Sequence, residues 1–373
     1  MRRWLPAALL TLLLAGCGST SKSGTVVHLA YVAGARVHVL GSRAQPLAGS
    51  DPVWSQDGRW LALLTPRGAL EIEGGDGTSP QPVQGLSGPV APGDFAWSPT
   101  ADMLAVAPEQ GGLWLVSGGA RQLAAAGTRV WSLAWSPGGH SVAYAVTQPY
   151  TDVVKRSDAL YTVPITGGAP KRQYVANQAG IELATWNLLW LDPLHSSSIA
   201  ADGLGLVQLP SGRVLTTTLV RRDWLSFSGK RVLLVTGQGR EPMTDKALAI
   251  CDLASVSCHT LPQPAGSVSL DPAWSPDGKR MAFVRAGVYT GPVTSSAVAA
   301  AWTATRTLWL AAADGGGAHE VTAAGRGVSG PQWSPDGRQV YYLRDGALWT
   351  YDVGTGKVSQ LASGGVSSFA LAR

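Results

Sequence analysis

The residues with chemistry to offer are few and mostly isolated. The six histidines are scattered singly over 373 residues, and no two stand at metal-ligand spacing. Carboxylates recur as Asp57, Asp277 and Asp336, each followed by Gly and preceded two residues earlier by Ser. That setting suits an Asp that caps its own turn better than one that moves protons. A serine-hydrolase elbow needs Gly-x-Ser-x-Gly, and the nearest match, Gly139-His-Ser-Val-Ala143, opens a strand pattern instead. Neither a P-loop nor a complete Gly-x-Gly-x-x-Gly is present. No His or third Cys accompanies Cys251 and Cys258 at ligand spacing, so no metal and no cofactor is expected.

The cysteines point elsewhere. Residues 1–17 run Met-Arg-Arg, then an apolar stretch from Trp4 to Leu14, then Ala15-Gly16-Cys17. This is a positive start, a short apolar middle and small residues at the end, as in an export signal. The apolar run is too short to span a bilayer stably. Leu14-Ala15-Gly16-Cys17 resembles the lipobox of bacterial lipoproteins. The resemblance implies cleavage after residue 16, acylation of Cys17 and a membrane-anchored, extracytoplasmic protein. Two or three acyl chains hold a protein firmly, where one does not. Gly18 in place of an Asp after the lipidated Cys implies the outer membrane if the source has two, and otherwise the outer face of the cell membrane. Residues 18–24, Gly-Ser-Thr-Ser-Lys-Ser-Gly, read as a flexible tether. Disulfides persist outside the cytoplasm. A Cys251–Cys258 bridge across a strand-turn-strand segment is therefore expected, with buried free thiols as the alternative.

Composition bounds the rest. An apolar fraction of 45% and a charged fraction of 14% describe a folded chain. Once Arg2 and Arg3 are removed, 27 basic residues face 24 acidic ones, and the basic pairs are dispersed. Nucleic-acid binding is not expected from that pattern. There are 15 Trp but only 4 Phe, so Trp is placed for a reason.

The reason is a repeat. Trp54-Ser-Gln-Asp-Gly, Trp97-Ser-Pro-Thr-Ala, Trp135-Ser-Pro-Gly-Gly, Trp274-Ser-Pro-Asp-Gly and Trp333-Ser-Pro-Asp-Gly are each followed by a strand of small and apolar residues. Weaker copies are read at Trp190-Leu-Asp-Pro and at Phe227-Ser-Gly-Lys. A third strand often carries Leu-Trp, as at Leu113-Trp114, Leu308-Trp309 and Leu348-Trp349. The period within strands is two, and each unit holds four antiparallel strands. These units resemble the WD40-like repeat of TolB-type β-propellers. The resemblance implies an all-β fold: a single propeller over residues 25–373, with eight blades or, if one weak unit is misread, seven. The segment 27–40 has the look of strands two and three of a further blade, and residues 367–373 of a lone first strand. The two chain ends are thus expected to complete one blade, which closes the ring and hides its edges. A monomer is expected.

Repeat spacing then locates function. The distance from repeat Trp to third-strand aromatic is 17 residues for Trp97–Trp114, 26 for Trp135–Tyr161 and 35 for Trp274–Trp309. The surplus falls in second-to-third-strand loops, as does an extended loop at 237–246, and all three project from one face. They supply a candidate binding face of Tyr150, Asp152, Lys155, Arg156, Arg240, Glu241, Tyr289, Trp302 and Arg306, with Asp245 beside them. Trp302 and Tyr289 are expected to be exposed interface anchors, although loops that merely pack on one another would leave the same pattern. The expectation is a binding or scaffolding module for an envelope protein or ligand, not an enzyme. The alternative is a hydrolase- or lactonase-like propeller using its channel. For that, first strands offer Ser132, Glu182, Ser269 and Gln332, and the acidic set Asp94, Asp223 and Asp271.

Overall fold

The computed structural model describes residues 27–372, except 79, 87, 126–128, 148–157, 177–179, 186–187, 193–204, 209–212, 217–224, 238–241, 256 and 323–326. For residues 180, 182, 184–185, 188–192, 205–208 and 213–216 it describes the backbone only. Among the described residues the strands form eight four-stranded antiparallel sheets, the blades of a β-propeller. Seven are built from consecutive strands: blade 1 (50–82), blade 2 (90–124), blade 3 (130–176), blade 4 (180–216), blade 5 (225–260), blade 6 (267–320) and blade 7 (329–362). The remaining, closing blade takes three strands from residues 29–48 and its first from Val366–Leu371. Leu29 pairs with Leu371 and Tyr31 with Phe369, so the two ends of the chain share one sheet.

First strands of neighbouring blades lie against one another and make the inner wall. The repeat explains how. In blades 1, 2, 3, 6 and 7 the first strand ends in Trp, and in blades 1, 6 and 7 the Ser-x-Asp-Gly that follows is a self-capped turn. Ser275 Oγ donates to Asp277 Oδ1 at 2.6 Å and accepts from the Arg280 amide at 2.9 Å. Ser334, Asp336 and Gln339 repeat this, as do Ser55, Asp57 and Trp60. Gly278 sits at φ +64°, and a Cβ there would overlap Ser228 Oγ of blade 5. Glycine is required twice over, by the left-handed backbone and by the close approach of the next blade. The repeat Trp then joins the blades. Trp97 Nε1 donates to Val53 O at 2.9 Å, Trp135 to Ala96 O at 2.8 Å and Trp333 to Ala273 O at 3.1 Å. Trp54 reaches Ala370 O of the last strand at 3.2 Å, so the closing blade obeys the same rule.

Between blades the core is apolar. Leu104, Val106, Ala62 and Leu64 fill the gap between blades 1 and 2, and Tyr342, Val340, Leu308 and Leu310 that between blades 6 and 7. Blade 4 corrects one reading. Trp190 lies within its second strand, Leu188–Asp192, paired with Glu182, and does not end a first strand. The first strand is Gly180–Thr185. Leu188-Leu189-Trp190-Leu191 is itself an apolar strand, so a Trp there imitates the repeat position without its turn.

Candidate functional site

The two faces of the ring differ sharply. One carries the repeat turns and the third-to-fourth-strand turns, all short. The repeat carboxylates on it are structural. At Asp57, slight burial pushes the carboxyl up, but the Arg59 amide, the Ser55 hydroxyl and the Arg59 guanidinium together hold it down at about 2. Asp277 and Asp336 are likewise held below the usual carboxylate range by hydrogen bonds from their own turns. Glu73, in the same blade as Asp57, behaves oppositely. Burial, with Asp76 and Glu71 nearby, pushes it up to about 7, and its Oε2 has no hydrogen-bond partner among the described residues.

The other face carries the long loops. In blade 3 the insertion lies between strands Ser141–Thr147 and Asp158–Pro164, and in blade 6 between Arg280–Gly287 and Thr307–Ala312. Both are second-to-third-strand loops on one face. Tyr150, Asp152, Lys155, Arg156, Arg240 and Glu241 lie outside the described residues, as do Cys17 and Asp223.

The blade 6 insertion is built from its own sequence. Gly291-Pro292 breaks the strand pattern, and Ser295 caps the helix Ser296–Thr303 by accepting from the Val298 amide at 3.4 Å. Trp302 departs from expectation: it is only 5% exposed, and its indole donates to Gly287 O at 2.7 Å. It latches the insertion onto blade 6 instead of standing out as an anchor. A lone large aromatic among alanines does most for the chain by burying itself. Arg306 lies over the Trp302 ring at 4.7 Å; burial lowers its pKa and the Asp271 carboxylate pushes it back up. Tyr289 is half-buried, and its amide donates to Met243 O at 2.8 Å. The loops of blades 5 and 6 therefore brace one another. Asp245 pairs with the fully buried Lys246 at 2.9 Å. The insertion exposes Val288 at 39% and Val293 at 47% among the hydroxyls of Thr290, Thr294, Ser295 and Ser296. Residues 287–305 contain no charged side chain.

Toward the channel, first strands bulge. Ser50 pairs with Leu64 and Val53 with Ala62, leaving one extra residue, and blades 6 and 7 do the same before Trp274 and Trp333. The bulge coincides with Asp51-Pro52, Asp271-Pro272 and Gly330-Pro331, because Pro has no N–H for the ladder. Asp51 and Asp271 hold positive φ, +53° and +46°. Asp271 accepts from the Gly330 amide of blade 7 at 3.2 Å. Asp51 was not singled out from sequence; its signal is the shared Asp-Pro-x-Trp. Ser132 is spent on the Leu183 amide at 2.9 Å. Ser269 lies in the first strand of blade 6, buried. No group of three or more His, Cys, Asp or Glu able to hold a metal occurs among the described residues.

Cys251 and Cys258 face each other in register across blade 5 and are joined as a disulfide. Such a bond fits an oxidising, extracytoplasmic compartment. No helix among the described residues is long and apolar enough to cross a membrane.

No family model and no curated protein matches this sequence. Among solved structures, the chain is similar to a prolyl endopeptidase, at TM-score 0.59 and 14% identity, over 84% of this chain and 49% of the other. It thus spans about half that enzyme's length. An oligogalacturonate lyase from Vibrio parahaemolyticus follows at TM-score 0.56 and 12% identity, over 88% and 97% of the two chains. The dihydro-heme d1 dehydrogenase NirN gives TM-score 0.57 and 17% identity, over 96% and 78%. TolB proteins are also among the matches, one from Acinetobacter baumannii at TM-score 0.39. These likenesses establish the propeller fold. They also correct the expectation of a non-enzyme. Most of these neighbours are enzymes, so the fold gives no ground for setting catalysis aside.

Proposed function

We propose that the protein is an extracytoplasmic lipoprotein, anchored through acyl chains on Cys17, that binds an envelope protein or ligand with its long-loop face. The carrying observation is the direction of the chain. Leu29 opens the second strand of the closing blade, and second strands begin on the short-turn face. There His28 lies against the Gly58 turn and beside Trp54, its ring 5.6 Å from the indole. Ten residues separate Cys17 from His28. A tether that enters at the short-turn face puts that face nearer the lipid and points the insertions away from it. Trp60, 40% exposed, and Arg59 stand at the repeat turn of blade 1 on that face, both donating to Asp102, as suits a lipid interface. The membrane is the outer one in a two-membrane cell and otherwise the cell membrane, seen from outside.

Two substitutions test this. Cys17→Ala is expected to abolish incorporation of a labelled fatty acid and to release the protein from membranes; unchanged label and sedimentation would sink the anchor. Replacing residues 288–304 with a short Gly-Ser turn is expected to abolish cross-linking to an envelope partner. Undiminished recovery of every partner counts against the face.

A second reading rests on Asp51 and Asp271, non-glycine residues held at positive φ on the inner wall, a strain that often marks a working site. It assigns them to ligand binding or chemistry in the channel. If Asp51→Asn leaves every ligand affinity and turnover untouched, that reading fails.

A further inference from the structure

Arg285 is a buried cation with no counterion among the described residues. It lies near the end of the second strand of blade 6, opposite Ser269 on one side and Thr307 on the other. The residue is 8% exposed. Its guanidinium lies over Trp309 at 4.3 Å and Phe283 at 5.0 Å, and its Nε donates to Ser269 Oγ at 3.4 Å. Among the described residues no carboxylate forms an ion pair with it. Burial alone lowers its pKa, with no acidic neighbour acting in the other direction. The nearby polar groups are already committed. Ser269 Oγ donates to Gln263 Oε1 at 2.9 Å, and Gln263 Nε2 donates to the Lys246 and Ser267 carbonyls. Lys246, the other buried cation at this place, has its own Asp245.

An unpaired buried charge is costly even after relaxation. Two aromatic faces offset only part of that cost. Beside Arg285 the structure leaves room for what is missing. A cavity between blades 5 and 6, lined by Arg285, Ser269, Gln263, Phe283, Leu248 and Leu261, has about 10 Å³ of free space for the centre of a water-sized sphere. That is enough for one water or one monatomic ion and too little for an organic acid. We propose that this cavity is a binding site for a monovalent inorganic anion of chloride size, held against the Arg285 guanidinium in the seam between blades 5 and 6. The anion neutralises the seam and pins the blade 6 second strand beside the long-loop insertion. This site is independent of the anchor and of the binding face.

The full chain is melted while sodium gluconate is replaced by sodium chloride at constant ionic strength. The site predicts a saturating rise of the melting temperature, on the order of 2 °C, which Arg285→Met abolishes. A flat response in the wild type, or an equal rise in the variant, overturns it. Should the variant fail to fold, wild-type crystals grown in bromide decide. An anomalous peak in the cavity beside Arg285 supports the site, and a water alone in that position refutes it.

Discussion

The seam between blades 6 and 7 and the seam between blades 5 and 6 start from the same motif and end differently. At the first, Trp333 donates its indole proton to Ala273 O, Arg280 lies over the Trp333 ring at 5.0 Å, and Arg280 Nη2 donates to Gly337 O at 2.8 Å. At the second, Arg231 plays the same part, stacking on Trp274 at 4.7 Å and donating to Gly278 O at 2.6 Å. Yet Trp274 Nε1 is buried with no hydrogen-bond partner among the described residues. The blade 5 unit has Phe227 in place of Trp and a shortened turn. Its Ser226 hydroxyl accepts from the Trp274 amide at 2.8 Å instead. A repeat Trp is thus completed by the blade before it, not by its own motif. Where that neighbour has drifted, the seam is imperfect. There the chain also places its disulfide, the buried Lys246, the unpaired Arg285 and two long loops.

The largest test of ring closure is removal of residues 365–373. This strips Val366, Phe369 and Leu371 from the core, each worth about 1.5–3 kcal/mol. It also leaves the closing blade without its inner strand. Loss of cooperative melting is expected; an unchanged melting temperature would refute closure. Next in size is the blade 5 staple. Cys258→Ser opens a loop of eight residues, Cys251 to Cys258, for which chain entropy predicts a loss of roughly 2.5 kcal/mol. The loss should appear in denaturant melts and vanish when both proteins are reduced. Smaller, and aimed at the comparison itself, is a pair. Trp333→Phe breaks a made hydrogen bond, whereas Trp274→Phe removes an orphaned donor. Trp333→Phe should cost about 1 kcal/mol more, and equal costs would show that the indole bond does not set seam strength. A further test is in pH. The Glu73 pKa stands near 7 in the folded protein against 4.5 in its unperturbed state. The fold prefers the protonated acid, so this contribution is complete below pH 4.5 and is lost as pH rises through 7. Glu73→Gln should flatten that decline in melting temperature between pH 5 and 8.

Much of this was legible because turns speak locally. The turn after the repeat Trp closes its own hydrogen bonds within six residues, so five good copies of Trp-Ser and its turn announce five blades without reference to anything distant. Spacing between Trp residues then showed which loops are long and on which face they lie. Trp190 misled because an apolar strand can hold a Trp anywhere, and only pairing decides which strand it belongs to. Trp302 misled for a related reason. Its type suggested an anchor, but whether an aromatic faces solvent or latches its own loop depends on a carbonyl, Gly287 O, fifteen residues back in sequence.

By itself, then, the amino-acid order determined the propeller, the pairing of its two ends, the disulfide and the asymmetry of its faces. The propeller and the asymmetry of its faces follow from local turn chemistry repeated along the chain, and the disulfide from two cysteines set across one strand-turn-strand segment. Only the tertiary structure decided which buried groups end incompletely paired among the described residues: the Trp274 indole, Oε2 of Glu73, the charge of Arg285. Satisfaction of a buried group depends on what the neighbouring blade brings to the seam, and no period in the sequence encodes that.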